Sequence, residues 1–125
     1  MVNLSISAQL VATLKATGVD FFVSVPCKLL AGQIRLLEQD TEVCYLPVTR
    51  EEEGFGLCAG AGLGGRMPCI LMQDSGLGNS INALKSLIQF FQLPVVMLMS
   101  YRGSPGEPVP APVSYTHLRA HERPE

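Results

Sequence analysis

The sequence predicts an α/β fold, an open parallel sheet with helices on both faces, and three observations support this. Short apolar runs alternate along the chain with segments in which apolar residues recur at helical spacing. Gly or Pro stands near several of the junctions between them. The chain has 125 residues, of which 47% are hydrophobic, enough for one domain with a core of its own. Alternation of this kind builds a parallel sheet covered by helices.

The first half of the chain contains two helix–strand pairs. Apolar residues at positions 8, 10, 11 and 14 predict a helix over Ser7–Ala16, and Gly18 ends it. The run Asp20–Val25 is short, apolar and rich in Phe and Val, so it predicts a strand buried on both faces. Apolar positions 29, 30, 34 and 37 predict a helix over Leu29–Leu37, and Val43–Val48 predicts the second strand.

The second half repeats the alternation. Glu51–Gly64 predicts a third helix that is rich in Gly and Ala, although each Gly costs about 1 kcal/mol inside a helix. The number of glycines in this helix predicts that a neighbouring helix or a flat ligand approaches its backbone closely. Cys69–Gln73 predicts the third strand. A Gly-Leu-Gly turn then leads into a fourth helix over Asn79–Phe91, and Pro94–Ser100 predicts the fourth strand.

The composition changes abruptly after Arg102. Ser104–Pro112 holds four prolines in nine residues and can form neither a helix nor a central strand. Residues 113–125 follow no earlier pattern and resemble a translated adapter sequence. We therefore expect residues 1–112 to form one domain, incomplete at its C-terminus, and residues 113–125 to be a non-native tail. His117 and His121 have the spacing of half a helical metal site, but no third ligand is evident, and we expect no metal.

Composition and charge exclude several classes of function. A net charge of −2 favours neither nucleic acid nor an anionic membrane as a partner. No apolar run reaches the ~20 residues of a membrane helix, and the N-terminus does not have the pattern of a signal peptide. The four cysteines form no CxxC pair, so we expect reduced, buried thiols rather than a zinc site: Cys27, Cys44, Cys58 and Cys69. These observations predict a cytoplasmic protein.

Three consecutive glutamates, Glu51, Glu52 and Glu53, directly follow the second predicted strand. Carboxylates at the start of a helix interact with the helix dipole by ~0.3–1 kcal/mol each, which is an adequate structural reason for two of them. Because successive helical residues lie ~100° apart, the three cannot share one environment. We expect at least one to point over the sheet edge into the crevice where open α/β sheets bind ligands, and a carboxyl group there could exchange a proton.

A glycine loop and two cations follow other predicted strand ends. Ser75–Asn79 is either a tight turn with Asn79 as the helix cap or a loop that binds a ligand. It is not a Walker loop, because the GK[ST] ending is absent. Lys28 and Arg102 are either solvated surface charges or donors to an anionic substrate. For the second role we prefer Arg102, because a guanidinium group can make two hydrogen bonds to one oxyanion.

The sequence resembles the α subunits of sulfopyruvate decarboxylases, which are thiamine diphosphate enzymes. The resemblance extends over about residues 1–112 and is carried by five segments: Val25-Pro26-Cys27, Thr49-Arg-Glu-Glu-Glu-Gly54, Ala59-Gly-Ala61, Leu71–Leu84 and Ser100-Tyr-Arg-Gly-Ser-Pro-Gly-Glu107. The chain is also similar to the N-terminal domain of phosphonopyruvate decarboxylases. It departs from the family pattern at Arg50, where the family often has Asn or His, and at Asp74, where Asn is usual.

The resemblance implies a pyrimidine-type domain of the thiamine diphosphate fold. It also implies conversion of 3-sulfopyruvate to sulfoacetaldehyde and carbon dioxide, a step of coenzyme M biosynthesis. In that family, a glutamate at this strand-to-helix junction hydrogen-bonds a ring nitrogen of the cofactor, a role that falls to Glu51, with Glu52 as the fallback. Further cofactor contacts fall to Gln73, Ser75, Gly76 and Asn79. Substrate contacts fall to Pro26, Lys28 and Arg102.

The resemblance also implies a partner. The family's motif for Mg²⁺ and diphosphate, GDG followed by a distant Asn, does not occur in this sequence. A β subunit or a downstream domain would hold the Mg²⁺ and share the cofactor with this chain, so we expect a hetero-oligomer that acts on a small 2-keto acid. Two alternatives stay open. One is the N-terminal part of a phosphonopyruvate decarboxylase, and the other is a non-catalytic α/β module that binds a ligand.

Overall fold

The computed structural model describes residues 4–102, which contain four helices, four strands and two short irregular helical segments. The helices are Leu4–Ala16 (α1), Ala31–Gln39 (α2), Glu51–Leu63 (α3) and Gly76–Ala83 (α4). The strands are Phe21–Ser24 (β1), Cys44–Pro47 (β2), Pro68–Gln73 (β3) and Val96–Ser100 (β4). A 3₁₀ turn at Lys28–Leu30 precedes α2, and a π-helical segment at Leu84–Gln89 follows α4.

The four strands form one parallel sheet in the order β2-β1-β3-β4. In the centre, Phe22 of β1 pairs with Tyr45 of β2 on one side and with Cys69 of β3 on the other. The chain moves outward from β1 to β2 and then crosses back over β1 to reach β3, so the direction of winding reverses between β1 and β3. In open α/β sheets, ligands bind in the crevice at such a switch point. The predicted α/β class is confirmed.

The helices cover the two faces of the sheet and enclose two separate cores. The first core joins α1 and α2 to one face, through Val11, Leu37, Phe22, Cys69 and Leu71. The second joins α3 to the other face, through Phe55, Cys58, Val23, Ile70 and Met72. Successive residues of a strand point to opposite faces. The inner strands are therefore apolar at nearly every position, which is why they form continuous apolar runs in the sequence.

Gly54 allows α3 to lie directly on the sheet. A Cβ atom at this position would come within 2.7 Å of Ile70 Cδ1 and 3.1 Å of Val23 Cγ1. The glycines of this helix were expected to face another helix or a ligand, and at Gly54 that expectation is wrong, because the close neighbours are side chains of the sheet. At Gly56 and Gly60, a Cβ atom would meet nothing within 4 Å in the described part of the chain.

Three predicted helices begin differently in the structure. The helix predicted from Ser7 already starts at Leu4. The helix predicted from Leu29 starts as a 3₁₀ turn at Lys28 and becomes α-helical at Ala31. The helix predicted from Asn79 already starts at Gly76, and it becomes π-helical at Leu84. Asn79 therefore lies inside α4 and is not its cap.

The four cysteines are free thiols. Cys27, Cys58 and Cys69 are buried as expected, but Cys44 is only half-buried because it begins β2, which is an edge strand of the sheet. Burial raises the pKa of Cys58 and of Cys69 to about 12, so both stay protonated at neutral pH.

Several expectations concern parts of the chain outside the described residues. They are the proline-rich segment 104–112, the domain boundary at residue 112, the tail 113–125 and its two histidines. Among residues 4–102, no helix has the length and apolar character needed to span a membrane.

Candidate functional site

The three glutamates at the start of α3 occupy three different environments. Glu53 is exposed, and its Oε2 accepts hydrogen bonds from the backbone N–H and the hydroxyl of Thr49, both at 3.2 Å. These bonds tie the first turn of α3 to Thr49, the residue before its N-cap Arg50. Glu52 pairs with Arg50 at the surface, where Oε1 lies 2.8 Å from Nη2. Glu51, by contrast, is only 6% exposed, so it is the acid of this group that reaches into the protein.

The Glu51 side chain lies against the first turn of α4. Asn79 donates a hydrogen bond from Nδ2 to Glu51 Oε2 at 3.3 Å. A Cβ atom on Gly76 would come within 2.5 Å of both Cγ and Oε1 of Glu51, so the acid fills the space that a side chain would need there. α3 packs on β1 and β3, and both α3 and α4 start directly after strands. The carboxylate therefore lies at the carboxyl edge of the sheet, beside the switch point.

Asp74 organises the turn that leads from β3 into α4. Its Oδ1 accepts the backbone N–H of Ser75 at 2.9 Å, and its Oδ2 accepts the backbone N–H of Arg102 at 3.2 Å. The backbone N–H of Asp74 donates to the Ser100 carbonyl at 3.0 Å. One buried carboxylate thus ties the ends of β3 and β4 together. Asp74 was missed as a site residue, although Asp is common in turns because its side chain bonds nearby backbone N–H groups.

The predicted cofactor residues all lie around this turn. Gln73 ends β3 and is half-buried, and Ser75 is the N-cap residue of α4. Gly76 is buried, whereas Asn79 is exposed apart from its contact with Glu51. The structure thus brings Gly76 and Asn79 into contact with the predicted catalytic acid. The roles of all these residues toward a cofactor stay predictions.

The predicted substrate residues lie at the same edge, after β1 and β4. Arg102 is 9% exposed and follows β4. Pro26 and Lys28 are exposed and flank Cys27, whose Sγ lies 3.2 Å from Ser100 Oγ at the end of β4. Within residues 4–102, no hydrogen bond or ion pair joins Pro26 or Lys28 to the predicted acid. Their roles toward a substrate stay predictions too.

A cavity of about 350 Å³ lies between α1 and α2, on the other face of the sheet from α3. Lys15 at its rim binds Asp40 at 2.6 Å and Glu42 at 2.8 Å, and the hydrogen bond with Asp40 is the main cause that raises the pKa of Lys15 and lowers that of Asp40. The charges of Lys15 and Asp40 are thus engaged within the protein.

Across residues 4–102, no three His, Cys, Asp or Glu side chains lie close enough together to hold a metal ion.

An open parallel sheet with a buried acid beside its switch point defines a domain that can place a carboxyl group against a bound ligand. The chain is similar to two proteins named sulfopyruvate decarboxylase subunit alpha. It is 49% identical to that of Methanocaldococcus jannaschii over 100 residues, and the matched region covers 80% of this chain and 59% of that protein. It is 48% identical to that of Methanothermobacter thermautotrophicus over 101 residues, and the matched region covers 81% of this chain and 61% of that protein.

A phosphonopyruvate decarboxylase of Streptomyces viridochromogenes is also similar, at 43% identity over 101 residues, or 81% of this chain and 25% of that protein. No protein-family model matches the chain. The resemblance to sulfopyruvate decarboxylase α subunits is confirmed, and so is the weaker one to phosphonopyruvate decarboxylase. The chain spans about three fifths of the length of the α subunits that it matches.

Proposed function

We propose that this chain supplies the pyrimidine-binding half of a thiamine diphosphate-dependent decarboxylase that converts 3-sulfopyruvate to sulfoacetaldehyde and carbon dioxide. The observation that carries the proposal is the burial of Glu51 at the carboxyl edge of the sheet. The next two glutamates, Glu52 and Glu53, lie at the surface. The similarity to two proteins named sulfopyruvate decarboxylase subunit alpha supports the choice of substrate.

The residues around Glu51 fit a cofactor that carries a basic heteroaromatic ring. A carboxyl group in a water-poor site can hold a proton at a ring nitrogen and exchange it during turnover. When bound, thiamine diphosphate supplies the electron sink that the loss of carbon dioxide from a 2-keto acid requires. Asn79 orients the carboxylate through its hydrogen bond, and α4 shields it from water. Glu52 fits this role less well, because it is paired with Arg50 at the surface.

We propose that Arg102 holds the anionic end of the substrate, with Lys28 and Pro26 at the rim of the site. 3-Sulfopyruvate carries a carboxylate and a sulfonate, and a guanidinium group can make two parallel hydrogen bonds to either of them. The burial of Arg102 supports this role, since charge attraction is stronger away from bulk water. Gln73 and Ser75 are the half-buried polar residues at the end of β3 that would face cofactor or substrate.

A partner completes the site in this proposal. The two relatives named subunit alpha support a hetero-oligomer, in which a β subunit or a downstream domain holds the Mg²⁺ and the diphosphate end of the cofactor. We place the complex in the cytoplasm, where small 2-keto acids are metabolised.

A second candidate is part of a phosphonopyruvate decarboxylase. The 43% identity to the Streptomyces viridochromogenes protein favours it, although less strongly than the 49% identity favours sulfopyruvate. Sulfonate and phosphonate are both tetrahedral oxyanions, so the same cationic residues suit both. Decarboxylation of the two compounds, assayed side by side with the reconstituted complex, separates the two candidates. Faster turnover of phosphonopyruvate would favour the second.

Glu51→Gln in the complex of this chain with its partner tests the proposed acid. The amide keeps the shape of the side chain but cannot act as an acid or a base near neutral pH, so carbon dioxide release should fall about 10²-fold or more. Glu52→Gln is the matched control, since Glu52 is engaged at the surface, and its rate should stay within a few-fold of the parent. If Glu51→Gln keeps its fold, by circular dichroism, and still releases carbon dioxide at nearly the parent rate, the proposal is wrong.

A further inference from the structure

We infer that Gly76 and Asn79 are positioning residues that fix the carboxylate of Glu51. The inference rests on the proposed function of Glu51, and it assigns the first turn of α4 a defined part in it. Three observations carry it: the space above Gly76, the hydrogen bond of Asn79, and the failure of the local explanations for these two residues.

The space above Gly76 is taken up by Glu51. A Cβ atom at Gly76 would be 2.5 Å from Cγ, 2.5 Å from Oε1 and 2.7 Å from Cδ of Glu51. Distances under 3.0 Å are not tolerated between such atoms, so any larger residue at position 76 must displace the acid. A glutamate side chain is flexible. The expected result of a substitution is therefore a carboxylate that has moved, in a protein that still folds.

Asn79 lies one turn further along α4, where residues three apart share a face. Its amide nitrogen donates to Glu51 Oε2 at 3.3 Å, a contact that requires Oε2 to act as an acceptor. Oε1, the other carboxylate oxygen, lies over Gly76. The first turn of α4 thus contacts both oxygens of the carboxyl group and fixes its place.

Local explanations do not account for these two residues. A glycine in a tight turn is required where φ is positive, but the positive-φ glycines in the described part of the chain are Gly18 and Gly65. Gly76 is the first residue of α4, and it has no such backbone conformation. Asn79 is not a helix cap, because Ser75 holds that position. The contact with Glu51 therefore explains why a glycine stands at position 76 and an asparagine at position 79.

The test combines Gly76→Ala with Glu51→Ala in the full chain and measures the unfolding temperature of both single variants and the double variant. Alanine is the better helix former, and the Glu51→Ala background removes the atoms that oppose it. We expect Gly76→Ala to raise the unfolding temperature by a few degrees in the Glu51→Ala background, and to lower it or leave it unchanged when Glu51 is present. Gly56→Ala, which meets no neighbour within 4 Å, is the matched control and should give the same shift in both backgrounds.

Activity in the complex provides the second measurement. Gly76→Ala should lower kcat at least tenfold with little change in the substrate KM, and Asn79→Leu, which removes the donor at similar size, should lower kcat in the same way. Equal shifts of unfolding temperature for Gly76→Ala in the two backgrounds would overturn the inference, and so would a parental kcat for Gly76→Ala in a complex that Glu51→Gln inactivates. If the proposed function itself fails, Glu51→Gln keeps its activity, and the temperature coupling between Gly76 and Glu51 alone decides the inference.

Discussion

Replacement of Gly54 by Ala tests whether α3 lies as close to the sheet as the structure shows. The new methyl group would lie 2.7 Å from Ile70 Cδ1, 3.1 Å from Val23 Cγ1 and 3.4 Å from Val48 Cγ2. Ile70 and Val23 are fully buried, so neither can turn away into solvent. The helix or its neighbours must then shift, and a shift of α3 would also move Glu51, which lies one turn earlier on the same helix.

The size of the effect follows from two opposing terms. Overpacking a filled core costs about 1–3 kcal/mol. The greater helix propensity of Ala returns about 1 kcal/mol. We therefore expect Gly54→Ala to lower the free energy of unfolding by about 1 kcal/mol. Gly56→Ala gains the propensity term without the clash, so it should raise the free energy of unfolding by up to about 1 kcal/mol.

Denaturant unfolding of the full chain, followed by circular dichroism, measures both variants. The difference between Gly54→Ala and Gly56→Ala is the informative quantity, because the propensity term cancels from it. We expect about 2 kcal/mol, which corresponds to roughly 10 °C in Tm for a domain of this size. If Gly54→Ala stabilised the protein as much as Gly56→Ala, α3 could not lie against Ile70 and Val23 as described.

The remaining predictions concern the thiols and the first turn of α3. Because burial raises the pKa of Cys58 and Cys69 to about 12, a thiol reagent at pH 8 should label the half-buried Cys44 first, and equally fast labelling of Cys58 in the folded protein would contradict this. The pKa of both thiols is raised above its usual 9.0 in the folded state, so their contribution to stability is fully present below pH 9 and is lost as the pH rises towards 12. The free energy of unfolding, measured with denaturant at a series of pH values, should therefore fall over that range. Glu53→Ala removes the acceptor of the two Thr49 hydrogen bonds and should cost about 0.5–1 kcal/mol, whereas Glu53→Gln keeps an acceptor oxygen and should be nearly neutral. Equal losses in the two variants would argue against this contact.

The sequence was sufficient for the sheet and its helices because the inner strands are buried on both faces. Such strands are apolar at nearly every position, and β3 is the clearest case. Helix starts were harder to predict, because they depend on how the preceding turns pack against distant parts of the chain. Asp74 holds the turn before α4, and two of its contacts are with Ser100 and Arg102, at and just after the end of β4, which is distant in sequence.

The site could be predicted only in part, for a similar reason. Helical geometry was enough to expect that the three glutamates would separate and that one would point into the crevice. Which of them does so depends on the approach of α4 to α3, and the sequence carries no local signal of that contact. Gly76 shows the same limit. Within its own segment it resembles a turn glycine, but the space it provides is occupied by Glu51 from another helix.

Exchange of the C2 proton of thiamine diphosphate with deuterium, followed by proton NMR in the complex of this chain with its partner, measures most directly whether Glu51 activates the cofactor. This exchange precedes any contact with a substrate, so it does not depend on whether sulfopyruvate or phosphonopyruvate is used. We predict that Glu51→Gln slows the exchange about 10²-fold or more, while Glu52→Gln leaves it within a few-fold of the parent. Exchange at the parental rate in Glu51→Gln would contradict the role of the buried acid.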